Sequence, residues 1–121
     1  MTRIVTVTNL TRGRRIAAQV WLADRWWLRL RGLLGRSPLR EGEGLMLEPC
    51  KAVHMLGMRY PIDVVFLDAN HQVLKCSTLH PWRISAWMWN AKQVLELPAG
   101  ATKKIGLKPG SKIEVTIHDP A

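Results

Sequence analysis

Cys50-Lys51-Ala52-Val53-His54-Met55-Leu56-Gly57-Met58-Arg59-Tyr60-Pro61-Ile62-Asp63-Val64-Val65-Phe66-Leu67-Asp68 contains, from Ile62 to Leu67, six residues that are, but for one, apolar and mostly β-branched or aromatic. That composition predicts a strand over Ile62–Leu67 buried on both faces. Pro61 has no N–H to donate to a ladder and marks the strand's start. Asp63 is the anomaly, because a carboxylate inside a buried strand needs a cation or several N–H donors to offset its desolvation. A cysteine, a histidine, two further methionines and an arginine lie just ahead of it, so specific chemistry is expected here.

Upstream, Arg3 to Thr8 alternates as a strand, Asn9 to Arg14 reads as a hairpin turn, and Ile16 to Leu22 returns. Asp24 is a good helix N-cap. From Arg25 the period changes: Trp26, Leu30, Leu33 and Leu34 form one apolar stripe, and Gly35 suits the end of a helix over about 24–35. A strand begins near Leu45. Downstream, Gln72 to Ser77 returns from the central strand, Gln93 to Leu97 is a further strand, Gly100 to Ile105 has room for one helical turn, and Lys112 to Ile117 alternates as the last strand. The predicted class is α+β, mostly antiparallel, curled into a partial barrel, with one main helix. Residues 78–91 are irregular yet carry Trp82, Ile84, Trp87, Met88 and Trp89. Such a segment either folds back as a lid on the core, the preferred reading, or presents a sticky patch to a partner.

At 121 residues the chain is expected to be one domain burying roughly two thirds of its unfolded surface. The first twenty residues lack the apolar core of a signal peptide, and no run reaches the length of a membrane span, so a cytoplasmic location is expected. Cys50 and Cys76 are read as two thiols. The net charge of +9 is uneven: residues 1–40 hold nine arginines against one acid, Asp24, whereas residues 41–121 are nearly balanced. Such asymmetry favours an anionic partner, although a G+C-rich genome also inflates arginine.

Pro49-Cys50, Val53-His54, Gly57-Met58-Arg59 and Pro61 to Asp68 together resemble the signature of the domain of unknown function 192 family, small bacterial and archaeal proteins without an established activity. Arg31-Gly32-Leu33-Leu34-Gly35-Arg36 is similar to the family's Arg-Gly-Leu-Met-x-Arg helix end, and Val94 to Gly100 to its late strand. Leu79 to Arg83 resembles one subgroup, while Met55 and Ser111 depart from the usual threonine and aspartate. The likeness runs from about Ile4 to Val115 and implies a fold without implying a ligand.

Several chemistries are compatible with these residues. Cys50, His54 and Met58 have the spacing of a copper loop, but no histidine precedes His54, and no zinc pattern occurs, so neither metal nor cofactor is expected. Cys50, His54 and Asp63 would make a hydrolase-like trio if the thiol were activated. Weak, sequence-independent nucleic-acid binding would use Arg12, Arg14, Arg15, Arg25 and Arg29 for phosphates and tryptophans for stacking. The reading preferred here is a non-catalytic binding or accessory domain for a small anionic molecule or an acidic peptide. Its expected site comprises Arg31, Arg36, His54, Met58, Arg59 and Asp63, closed by Trp82 and Arg83.

Overall fold

A computed structural model describes residues 3–9, 13–23 and 38–118. The helix expected over 24–35, with Arg25, Arg29, Arg31 and Arg36, lies outside the described residues, as does Arg12. Among the described residues seven strands follow in chain order: β1 (Arg3–Asn9), β2 (Arg14–Ala23), β3 (Glu43–Leu47), β4 (Ile62–Leu67), β5 (Val73–Leu79), β6 (Gln93–Pro98) and β7 (Ile113–His118), with one helical turn, α1 (Ala101–Lys104), between the last two. They form one sheet in the order β5-β4-β6-β3-β2-β1-β7. All neighbours are antiparallel except β2 and β3, which run parallel from Gln19↔Glu43 to Ala23↔Leu47. A parallel pair cannot be joined by a tight turn, and β2 and β3 are well separated along the chain.

The sheet curls until its two ends touch. Gln72 and Lys112 form an isolated bridge, and Val73 N–H donates to Ser111 O (2.8 Å), Gly110 N–H to Val73 O (2.8 Å) and Ile113 N–H to His71 O (2.9 Å). The result is the α+β, mostly antiparallel, partial-barrel class expected from the sequence.

Period-two alternation sorts the apolar side chains into two layers. Val5, Val7, Val20, Met46, Val65, Leu67, Leu95, Leu97 and Ile113 fill the concave interior. Leu45, Leu47, Ile62, Val64, Phe66 and Val94 form the outer face, together with Val53, Met55, Met58 and Ala91 from flanking loops. All six residues of β4 are buried, because it has a layer on each side. At Gly44 the strands approach closely: a Cβ there would lie 2.9 Å from the Glu96 carbonyl oxygen and 3.1 Å from Leu97 Cδ2.

Candidate functional site

Asp63 is only 1 % exposed. Since Ile62, Val64 and Phe66 belong to the outer layer and Val65 and Leu67 to the interior, alternation turns the Asp63 side chain inward. There the Thr78 hydroxyl donates to Oδ1 (2.7 Å), and the Thr102 N–H (2.9 Å) and hydroxyl (2.7 Å) donate to Oδ2. Burial alone would raise its pKa. The hydrogen bonds from Thr102, Thr78 and the Gly100 N–H outweigh that and hold the carboxyl below its ordinary value. Asp63 thus ties β4 to β5 and to the first turn of α1, where Gly100 takes the left-handed conformation (φ 88°). Thr78 faces Asp63 directly in the ladder. Neither threonine stood out in the sequence, because a hydroxyl partner fifteen or thirty-nine positions away leaves no local pattern.

Cys76, opposite Val65 on β5, shares this environment. Burial, and next the Asp63 charge, push its thiol up to about 11, so it is protonated at neutral pH and a poor nucleophile. Neither cysteine is in a disulfide among the described residues. Cys50 Sγ donates to Ala52 O at 3.0 Å.

The remaining described candidates lie on the opposite side of the sheet. Segments 50–60 and 79–92 are zipped together over the outer face. Cys50 N–H donates to Lys92 O (2.9 Å), Met88 N–H to Lys51 O (2.8 Å), Ser85 N–H to Val53 O (2.8 Å), Met55 N–H to Arg83 O (2.7 Å) and Trp82 N–H to Met55 O (2.8 Å). The Ser85 hydroxyl accepts from Val53 N–H (2.8 Å), and the Lys51 ammonium donates to Trp89 O and Ala91 O, each at 2.7 Å. Val53, Met55, Met58, Met88 and Ala91 face down onto β3, β4 and β6. His54, bridged to Ile84 through the backbone, is exposed, as are Arg59, Trp82 and Arg83.

The structure therefore brings His54, Arg59, Trp82 and Arg83 onto one cover, with Met58 buried beneath. It does not bring Asp63 to them, and the Cys50, His54 and Asp63 of a hydrolase-like trio are split by the sheet. Pleat alternation is the reason. Residues 78–91 are a lid in their backbone and in Met88 and Ala91. Their largest side chains point away, with Trp82 67 %, Ile84 67 %, Trp87 58 % and Trp89 78 % exposed, alongside Leu56 on the other segment. Trp87 and Trp89 meet edge to face, 5.8 Å between centroids. Segments 50–60 and 79–92 carry Lys51, Arg59, Arg83 and Lys92 and no aspartate or glutamate.

Two further features lie away from the cover. A cleft of about 460 Å³ beside α1 is lined by Ile16, Leu97, Pro98 and Ile105, with Arg15 at its wall and the Lys104–Glu41 ion pair (2.8 Å). Arg15 is the one nucleic-acid candidate whose side chain is described. Glu96, on the outer face of β6 between Leu45 and Val64, is 3 % exposed, and among the described residues its Oε2 has no hydrogen-bond partner. Burial pushes its carboxyl up to about 8. Among the described residues no cluster of His, Cys, Asp or Glu is arranged to hold a metal, and no helix is long and apolar enough to cross a membrane.

A curled β-sheet with a zipped outer cover and an aspartate-pinned helical turn defines a recognisable class. The chain belongs to the domain of unknown function 192 family, described as an uncharacterised family, whose model matches residues 7–115. It is 34 % identical over 109 residues to a UPF0127 protein of Pyrococcus furiosus, covering 88 % of this chain and 94 % of the relative. A UPF0127 protein of Pyrococcus abyssi is 32 % identical over 114 residues, covering 89 % and 95 %. Among solved structures, a Sinorhizobium meliloti 1021 protein described as a candidate transcription regulator superposes with a TM-score of 0.78 at 22 % identity, covering 95 % of this chain and 94 % of that one. A protein of unknown function from Novosphingobium aromaticivorans gives 0.76 at 24 % identity, covering 93 % and 84 %. These likenesses carry the fold and bring no activity with them.

Proposed function

We propose that this chain is a non-catalytic binding domain and that its binding surface is the outer cover, which takes an acidic peptide segment bearing apolar side chains. The observation that carries this reading is the row of Trp82, Ile84, Trp87 and Trp89 held in solvent on a hydrogen-bonded frame. Exposed apolar groups in such number on one ribbon mark interaction surfaces more often than accidents. Tryptophan and arginine are the side chains that dominate binding energy at protein interfaces. The frame is already ordered by main-chain bonds, so docking costs little further conformational entropy. Four cations and no carboxylate in the two segments select a negatively charged partner and repel a basic one. Catalysis has less support, since Asp63 is saturated with donors and the Cys76 thiol is protonated.

Fluorescence anisotropy with a short labelled peptide alternating glutamate and leucine tests the reading. Binding should be saturable, weaken with salt, and be lost both for a glutamate–serine peptide and for a lysine–leucine peptide. Failure of the glutamate–leucine peptide to bind, or equal binding of the lysine–leucine peptide, overturns it. Tighter binding of a labelled thymidine oligonucleotide would move the surface to single-stranded nucleic acid instead.

A further inference from the structure

Within the cover, one residue sits in a conformation that its side chain does not favour. Arg83 N–H donates to His80 O (3.2 Å), closing a four-residue turn over His80-Pro81-Trp82-Arg83. Proline fixes φ of the first central position near −65°, and Trp82 follows with φ of 66°. That combination is a type II turn, whose second central position calls for a positive φ and is ordinarily filled by glycine or asparagine. A bulky aromatic there crowds its own backbone, so glycine would be the relaxed choice. Burial of the ring does not compensate, because Trp82 is 67 % exposed.

The strain is held in place from both sides. Trp82 N–H donates to Met55 O (2.8 Å) and Met55 N–H to Arg83 O (2.7 Å), so the turn is clamped onto segment 50–60. A conformation that costs stability while leaving two thirds of the side chain in solvent points to a use outside the chain. From this geometry we infer that Trp82 is the specificity-determining anchor of the cover: its ring is presented by the strained turn to an apolar side chain of the acidic partner segment, with Arg83 beside it for the partner's carboxylate. The inference rests on the binding reading above and adds to it the residue that decides affinity. Indole faces favour contact with aliphatic and aromatic groups, and guanidinium takes a carboxylate through two parallel hydrogen bonds. The expected partner motif is therefore an apolar residue next to an aspartate or glutamate.

Trp82→Gly separates this role from a structural one, because it relaxes the turn and deletes the ring together. Thermal melting and anisotropy with the glutamate–leucine peptide are read on the wild type, Trp82→Gly and Trp82→Tyr. The expected result is a melting temperature for Trp82→Gly at or above the wild type with binding weakened about thirtyfold, the loss typical of a central anchor. Trp82→Tyr should keep both the fold and most of the affinity. A melting temperature for Trp82→Gly well below the wild type would show the ring to be structural and overturn the inference. Wild-type binding with Trp82→Gly within about threefold of it would overturn the inference and leave the binding reading standing. No binding by the wild type removes both.

Discussion

Replacing Asp63 by asparagine keeps the side chain's shape and removes its charge, and the donors around it determine the cost. Four groups point at the carboxylate: the Thr78 hydroxyl, the Thr102 N–H and hydroxyl, and the Gly100 N–H. An amide offers one acceptor oxygen, so its NH₂ must face a donor whichever way it turns. The lesser conflict places the NH₂ toward Thr78, an exposed residue on β5, and keeps the oxygen on buried Thr102. Hydrogen bonds to a charged acceptor contribute about 1.5–3 kcal/mol and neutral ones about 0.5–1.5, so two or three weakened bonds give a loss of about 2–3 kcal/mol. Asp63→Ala also leaves the Thr102 N–H without a partner, raising the loss to about 4–5 kcal/mol. Because the folded pKa lies below the unfolded one, this stabilisation is present above the unfolded value near 3.8 and is lost as pH falls through the folded value. Urea unfolding followed by tryptophan fluorescence at neutral pH and at stepwise lower pH measures both effects. A gap between wild type and Asp63→Asn under about 1 kcal/mol at pH 7, or one that does not shrink in acid, refutes the account of this site.

Glu96 is expected to behave in the opposite sense. Its carboxyl is raised from 4.5 to about 8 by burial, so the folded protein binds the extra proton and stability falls as pH rises between those values, by about 4–5 kcal/mol in full. Glu96→Gln should match the wild type near pH 4 and exceed it above pH 8 in urea midpoint; parallel pH profiles would contradict this. Gly44→Ala should lower stability by about 1–3 kcal/mol in the same assay, because the added methyl meets the Glu96 backbone rather than a flexible side chain.

Strand positions were the most legible part of the sequence. Ile62–Leu67 matches to the residue, and Gln93–Leu97 and Lys112–Ile117 to within one, because period-two patterning and Pro61 are local signals. The anomaly at Asp63 was legible as a demand for compensating donors. Its partners were not, since Thr78 and Thr102 are set by strand register and by where α1 lands on the sheet. The same pleat turned Asp63 away from His54, two residues that stand close in sequence. Glu96 stands between Leu95 and Leu97 in an otherwise largely apolar strand. Its burial depends on both neighbouring strands and on what lies over the outer face, none of which local composition encodes. Similarly, residue type left the tryptophans of 82–89 open between a lid on the core, the preferred reading, and a patch for a partner. The backbone ladder to 51–55 commits that ribbon's inner side to Met88 and Ala91 and leaves the rings outside.

The ladder between 50–55 and 82–92 is made mainly of peptide groups, which every residue but proline can supply, with Lys51 and Ser85 adding side-chain bonds. Its shape is consequently indifferent to the side chains that project from it at positions 54, 84, 87 and 89. Those positions form a display surface whose lettering can be rewritten while the page beneath stays folded. A chain built this way can change what it recognises through a handful of outward substitutions, leaving the β-sheet and its pinned aspartate untouched.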